Sequence, residues 1–187
     1  MLLFPLVVLS GVGPGLASAS ADVGTSTNQT LFQADFNGSS LNPAMWRQCF
    51  HWSPLNCTNG TSDLEGYLPQ NITASGGVLS LTAKRQDTVT RLDNGSTMTM
   101  PYSSGMITTE SHFSFTYGYV EFRAQIPRGR GLWPALWLLP ADHTWPPEID
   151  IMENVGHETD RVYMTNHPDD GAGQQAVASI GPDYSAG

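Results

Sequence analysis

The stretch Glu148-Ile149-Asp150-Ile151-Met152-Glu153 sets three carboxylates among three apolar side chains. This alternation is typical of a β-strand whose apolar side chains face a core, so the acids project together from the opposite face. Like charges held side by side cost stability and drive their pKa values apart. Such a pattern suits a site that needs one carboxylate ionised and another protonated at the same pH, and glycoside hydrolysis has that requirement.

The spacing of the acids predicts a local irregularity in this strand. Regular alternation would turn Glu153 away from Glu148 and Asp150, because it stands at an odd offset from them. One extra residue, a β-bulge at Ile151-Met152, returns Glu153 to their face. The two glutamates then lie about 13 Å apart along the backbone, and side chains that lean inward bring their carboxyls to about 5–5.5 Å, as in a retaining mechanism. The alternative is an edge strand whose acids keep it soluble.

Two segments upstream of the acidic run have a distinctive composition. They read Tyr117-Gly118-Tyr119-Val120-Glu121-Phe122-Arg123-Ala124-Gln125-Ile126-Pro127 and Gly131-Leu132-Trp133-Pro134-Ala135-Leu136-Trp137-Leu138-Leu139-Pro140, and Trp145-Pro146-Pro147 follows them. With the E-x-D-x-x-E run, they resemble glycoside hydrolase family 16, in the laminarinase-type branch that carries the bulge. The resemblance spans residues 31 to 187. It implies an all-β fold, a β-jelly-roll sandwich of the concanavalin A-like type with an open substrate cleft.

The resemblance also implies an activity and the residues that carry it. The activity is endo-acting, retaining hydrolysis of β-glucan, with β-1,3 or mixed β-1,3/1,4 linkages as the expected substrate. Glu148 is the implied nucleophile, Glu153 the acid/base, and Asp150 the assistant that tunes and orients Glu148. Two alternatives stay open: a non-catalytic β-glucan-binding protein, and a transglycosylase acting on a related polysaccharide. No cofactor and no metal ion is expected.

Aromatic residues near the acids are candidates for sugar binding. Trp133 and Trp137 share one face of a predicted strand, where they either stack on a pyranose ring or fill a core. The position just before the carboxylates favours stacking. Trp145 is equally consistent with a cleft wall and a packing anchor.

Two polar residues complete the set of candidate contacts. Arg123 lies on the polar face of a predicted amphipathic strand, Tyr119 to Ile126, and that face lines the cleft or meets solvent; we favour the cleft. His167 falls on the strand after the acidic run. The resemblance implies that His167 borders the site, and an exposed histidine at a strand end is the alternative.

Charge and composition restrict the partners. Seventeen acidic residues against eight basic ones give a net charge of −9. This balance argues against nucleic acid and against strongly anionic glycans, since few cations are available to bind them. A neutral polysaccharide is the expected partner of a monomeric protein.

The first 21 residues have the features of a secretory signal peptide. Leu2 to Val12 is an apolar run of the right length, and Ala17 to Ala21 offers small-residue cleavage sites. Glycines and a proline interrupt the run too early for a membrane span. We therefore expect an extracellular, secreted protein with no membrane association after the signal is removed. One local disulfide between Cys49 and Cys57 fits that compartment better than a metal pair or a catalytic cysteine.

The chain is short for the fold that the resemblance implies. Residues 22 to 187 are expected to form one catalytic domain, whereas single-domain sandwiches often run to about 200–250 residues. We therefore expect a partial domain that lacks its last strands. Many short strands with turn signals, such as the alternating Gly77 to Ala83, and no long helical period support the all-β class.

Overall fold

The structure is a computed structural model that describes residues 29–48, 57, 64–91 and 94–179, together with the backbone of residues 2–10. Within these residues it contains strands and one short 3₁₀ turn at Pro69–Asn71. The strands are β1 (Leu2–Ser10), β2 (Glu65–Tyr67), β3 (Ile72–Ser75), β4 (Val78–Leu81), β5 (Thr88–Arg91), β6 (Thr97–Met100), β7 (Tyr102–Ser104), β8 (Leu132–Leu139), β9 (Glu148–Glu153), β10 (Arg161–His167) and β11 (Gln174–Ser179). The all-β prediction is confirmed, and no described helix is long and apolar enough to span a bilayer.

One five-stranded sheet carries the acidic run. Its strand order is β1-β8-β9-β10-β11. The pairs β8–β9, β9–β10 and β10–β11 are antiparallel, and β1 is parallel to β8. The remaining strands form three pairs, β2 with β7, β3 with β4, and β5 with β6. Strand β9 therefore lies in the middle of the sheet, where both of its edges are hydrogen-bonded.

Strand β1 lies inside the segment predicted to be a signal peptide. Its backbone pairs with β8 along the whole of both strands. An apolar extended segment can satisfy the open edge of a sheet in this way. Removal of residues 1–21 stays a prediction, and residues 11–21 lie outside the described part of the chain.

Strand β8 divides the core into two clusters, because its side chains alternate between its faces. Leu136 and Leu138 pack with Trp46 and Ile107 on one side. The other side is formed by Ala135, Trp137 and Leu139, which pack with Tyr67 and Met106. All of these side chains are buried. The strand predicted to carry Trp133 and Trp137 on one face is therefore present, at Leu132–Leu139.

The segment predicted as a strand from Tyr119 to Ile126 differs from expectation. It is extended but belongs to none of the described strands. The alternation still places Val120 and Phe122 against the Leu136 cluster, while Tyr119 is 86% exposed. The segment and residues 29–36 together line a groove of about 900 Å³. Side-chain burial, rather than a hydrogen-bond ladder, holds it in place.

The structure tests the strand predicted at Gly77 to Ala83 but not the predicted disulfide. Strand β4 confirms the alternating pattern at Gly77 to Ala83, with Leu79 and Leu81 packed toward the core. The proposed disulfide involves Cys49, which lies outside the described residues, so the Cys49–Cys57 pairing stays a prediction. Cys57 itself is partly buried against the Trp137 cluster.

Candidate active site

A β-bulge in β9 brings the three acids to one face. Trp137 on β8 is opposite Asp150, but the preceding Leu136 is opposite Met152, so Ile151 is the extra residue. The same irregularity occurs on the other side, where Thr165 is opposite Asp150 and Tyr163 is opposite Glu153. The bulge predicted at Ile151-Met152 is confirmed.

The register shows which face the acids occupy. Residues directly opposite each other on neighbouring strands point to the same side of the sheet. Asp150 and Glu153 stand opposite Trp137 and Ala135, while Met152 stands opposite Leu136 in the other cluster. Glu148 is opposite His167 at the start of the strand. The carboxylates therefore share the Trp137 face, and Met152 anchors the strand from the opposite side.

Asp150 lies at the centre of the acidic cluster. It is only 6% exposed, and this burial is the main reason that its pKa rises to about 8. The negative charges of Glu148 and Glu153 and a hydrogen bond with Glu148 raise it further. At neutral pH the group is therefore mainly protonated. A protonated Asp150 can donate its proton to the Glu148 carboxylate.

Glu153 has a raised pKa for a similar reason. Burial is the largest cause, and the charge of Glu148 adds to it. The Trp133 side chain and His167 act in the opposite direction. The Trp133 indole nitrogen is buried, and its N–H is directed at the Glu153 carboxyl, where it favours the charged form. A glutamic acid with a raised pKa keeps its proton to a higher pH than usual, which suits it to act as a proton donor.

The Trp145 side chain is hydrogen-bonded to Glu148. Its indole Nε1 donates a hydrogen bond of 2.6 Å to Glu148 Oε2. The ring is otherwise 62% exposed, so it is not a packing anchor. Its position at the edge of the acidic cluster fits the alternative of a cleft wall.

His167 closes the cluster from β10. Its Nε2 lies 3.0 Å from Asp150 Oδ2, and its ring centre is 6.5 Å from that of Trp145. The prediction that His167 borders the site agrees with this position. A proton on Nε2 would let the ring donate to Asp150 while Asp150 donates to Glu148.

Trp137 and Arg123 were predicted to contact the substrate, but neither side chain is exposed beside the three acids. Trp137 is 7% exposed and packs among Tyr67, Met106 and their neighbours, so little of its ring is available to stack on a sugar. Arg123 lines the groove beside residues 29–36, whose lining contains none of the three acids. The reason is that its segment packs on the Leu136 side of the sheet, opposite the carboxylates.

Asn154 is a supporting residue that the sequence reasoning did not single out. It follows Glu153 directly and is fully buried. Its Nδ2 donates to the carbonyls of Glu158 and Arg161 at 3.1 and 2.7 Å, and its backbone N–H donates to Pro134. These bonds fix the end of β9 and hence the position of Glu153. In the sequence, the only indication of this role is that a polar amide directly follows the acidic run.

The described residues contain no group of three His, Cys, Asp or Glu side chains arranged to hold a metal ion. The acidic cluster itself offers the Glu148 carboxyl, a protonated Asp150 and a Glu153 with a raised pKa. A strand of a β-sheet protein that presents such a set beside exposed tryptophan defines a glycosidase-like site.

Comparison with known proteins identifies the class. Residues 76–184 match the family described as glycosyl hydrolases family 16, and the chain belongs to this family. This range includes the whole of β8 and β9, so the match rests on the segment that builds the acidic cluster.

Individual relatives agree with that assignment. The chain is 37% identical over 162 residues to the endo-1,3-1,4-beta-glycanase EglC of Rhizobium meliloti, covering 79% of this chain and 34% of that protein. The endo-1,3-1,4-beta-glycanase ExsH of the same organism is 35% identical over 153 residues, covering 75% and 31%. The laminarinase catalytic domain of Thermotoga maritima superposes with a TM-score of 0.70 at 31% identity, covering 84% of this chain and 66% of that one.

The coverage also limits the comparison. The chain spans about a third of the length of these curated relatives. The likeness to the laminarinase domain supports the jelly-roll sandwich predicted from the sequence.

Proposed function

We propose that this protein is an endo-acting β-glucanase that cleaves β-1,3 or mixed β-1,3/1,4 bonds with retention of configuration. The observation that carries the proposal is the placement of Glu148, Asp150 and Glu153 on one face of β9, with raised pKa values for the last two. The names of the family-16 relatives support β-glucan as the substrate class. The net charge of −9 favours a neutral polysaccharide.

The first half of the reaction uses Glu148 and Glu153. The Glu148 carboxylate attacks the anomeric carbon, and Glu153 gives its proton to the departing glycosidic oxygen. Burial keeps that proton on Glu153 at a pH where an ordinary glutamic acid has lost it. The products are a glycosyl ester on Glu148 and a shortened chain with a free hydroxyl.

The second half reverses the roles. Glu153, now a carboxylate, removes a proton from water, and the water oxygen displaces Glu148 from the anomeric carbon. Two inversions give net retention. Asp150 and the Trp145 indole both donate toward Glu148, so they hold the nucleophile in place and stabilise its charge as it leaves.

We also propose that the protein is secreted and acts as a monomer on an extracellular polysaccharide. The apolar run at residues 2–12 and the small residues at 17–21 support a signal peptide. N-terminal sequencing of the protein from the culture medium of its host tests this point. A mature protein that still begins at Met1 contradicts it.

The two alternative functions make different predictions at the same site. A non-catalytic glucan-binding protein has no use for a proton held on Glu153, and its binding would survive replacement of both glutamates. A transglycosylase uses the same glycosyl ester but passes it to a sugar hydroxyl in place of water. The complete set of acids favours an enzyme, and the identity of the acceptor separates the two enzyme classes.

One experiment tests the proposal against these alternatives. Laminarin, lichenan, xyloglucan and agarose are incubated with the protein, and the products are sized and quantified over time. We expect laminarin or lichenan to give a ladder of shorter oligosaccharides from the earliest times. Products longer than the substrate would indicate transglycosylation, and binding without any cleavage would overturn the enzymatic assignment.

A further inference from the structure

A buried carboxylate outside the catalytic cluster lies close to the loop that joins β8 to β9. Glu110 is only 4% exposed, and each of its oxygens has a partner. Arg47 Nη1 contacts Oε2 at 2.7 Å, and His143 Nε2 contacts Oε1 at 3.2 Å. The three residues come from distant parts of the chain, and the mechanism above uses none of them.

Glu110 is itself held rigidly. The backbones of Arg47 and Thr108 exchange two hydrogen bonds of 2.8 Å each, so the arginine is aligned with the segment that carries Glu110. The Glu110 N–H donates to Thr108 Oγ1 at 3.1 Å. A buried carboxylate with both oxygens engaged is a fixed point, since moving it would break charge-assisted hydrogen bonds.

His143 is the loop residue that reaches this fixed point. Its φ of 66° lies in the left-handed region, a conformation that costs energy for a side chain of this kind and persists where contacts impose it. Its N–H donates to Pro140 at the start of the loop. Next to it, Thr144 Oγ1 donates to Asp142 Oδ1 at 2.8 Å, which stiffens the same turn.

The loop continues directly into the active site. Two residues after His143 stands Trp145, whose indole donates the 2.6 Å hydrogen bond to Glu148. Because that ring is mostly exposed, packing alone does not fix its direction. The path of the backbone from His143 also constrains the ring, and the contact of His143 with Glu110 ties that path to a buried residue.

We propose that Glu110 and His143 are positioning residues that hold the Trp145 indole on Glu148. The chain of contacts runs from Arg47 through Glu110 and His143 to the turn that carries Trp145. This role rests on the proposed function, in which Glu148 is the nucleophile, but its structural part can be measured without any substrate.

The test uses variants that break the chain of contacts at different points. His143→Gly keeps the left-handed backbone accessible and removes the contact, while the Arg47–Glu110 pair stays intact and protects the fold. Glu110→Gln weakens the contact from the other side. His143→Asn tolerates the same backbone and offers an N–H to Glu110. His112→Ala is the matched control, because it removes an exposed histidine close in sequence to Glu110.

The first readout is the indole N–H resonance of Trp145 in ¹⁵N-labelled protein without ligand, assigned by its loss in Trp145→Phe. We expect it to move upfield in His143→Gly and in Glu110→Gln, as the hydrogen bond to Glu148 weakens. His143→Asn should restore part of the shift, and His112→Ala should leave it unchanged. An unmoved Trp145 resonance in folded His143→Gly protein overturns the proposal.

The second readout is turnover. His143→Gly should lower kcat on laminarin about tenfold with KM nearly constant, because the interaction acts on the nucleophile and not on remote sugar rings. In protein that already carries Trp145→Phe, His143→Gly should lower kcat by less than about twofold, because His143 acts through Trp145. Additive losses would show that His143 does not act through Trp145. If the wild-type protein cleaves no β-glucan, the proposed function fails, and the indole resonance still decides this inference.

Discussion

His167 on β10 and Asp150 on β9 are joined through Nε2 and Oδ2 at 3.0 Å. The two residues are 17 apart in sequence and meet because β9 and β10 are neighbouring antiparallel strands. Asp150 in turn has a hydrogen bond with Glu148. Through Asp150, a residue on β10 therefore helps to position the Glu148 carboxyl on β9.

Removing this contact should impair catalysis more than substrate affinity. His167→Ala leaves Asp150 without its partner on β10 and frees it to turn away from Glu148. We expect kcat on laminarin to fall about ten- to a hundredfold, with a small change in KM. His157→Ala, which removes an exposed histidine outside the acidic cluster, serves as control. A larger effect on KM than on kcat would place His167 in substrate binding instead.

The roles of the two glutamates can be separated by stereochemistry. With an activated aryl β-glucoside substrate, azide should restore turnover of Glu153→Ala and give the β-glycosyl azide, because it attacks the glycosyl ester on Glu148. Glu148→Ala with azide should give the α-glycosyl azide by a single inversion. NMR of the products distinguishes the two anomers. The opposite pattern would exchange the roles of nucleophile and acid.

The raised pKa of Asp150 predicts a pH-dependent cost in stability. Between its ordinary pKa of 3.8 and about 8 in the folded protein, the unfolded chain loses the proton while the folded protein keeps it. Stability from this group is therefore full below pH 4 and is lost as the pH rises through that window. Asp150→Asn should raise the free energy of unfolding at pH 7 by roughly 2–4 kcal/mol.

Thermal melts of wild-type and Asp150→Asn protein from pH 4 to pH 8 measure this difference. The gain should shrink toward zero at the acid end, where Asp150 is protonated in both the folded and the unfolded state. A gain that is constant across the range would point to packing or hydrogen bonding as its cause. Activity should fall in the same variant, as is common when a strained active site is relieved.

The raised pKa of Glu153 predicts the alkaline limb of the activity profile. The proton that Glu153 gives to the leaving group is retained to a higher pH than in an ordinary glutamic acid, because burial disfavours the charged form. The kcat/KM of β-glucan cleavage should therefore decline with an apparent pKa above 4.5, the ordinary value for Glu. Since the carboxyls interact, this apparent value belongs to the cluster. A decline centred at or below the ordinary glutamic acid range contradicts the assignment.

Trp137 and Trp145 should respond differently to truncation. Trp137→Ala removes a ring that is 7% exposed and should lower the free energy of unfolding by about 3–5 kcal/mol. Trp145→Ala removes a ring that is 62% exposed, so it should change the melting temperature little and lower kcat. Denaturant unfolding and steady-state kinetics on both variants provide the comparison. Equal losses of stability would show that Trp145 is also a packing residue.

The sequence was sufficient for the site's own strand. Alternation of Ile149 and Met152 with the acids, and the odd spacing of Glu153, predicted a strand with a bulge, and the register contains both. These are local properties, because side-chain direction along a strand follows from its backbone alone. The same reasoning assigned Trp133 and Trp137 to one face of β8.

What lies against each face was decided only by the tertiary structure. Periodicity put Trp133 and Trp137 on one face of their strand, but the packing of Trp137 with Tyr67 and Met106 buries its ring. Arg123 alternates as predicted, yet its segment packs on the other side of the sheet. The contact of Glu110 with Arg47 and His143 likewise joins residues 63 and 33 positions apart. Local backbone geometry fixes the direction of a side chain, whereas its surroundings depend on which distant segments bury the most apolar surface against it.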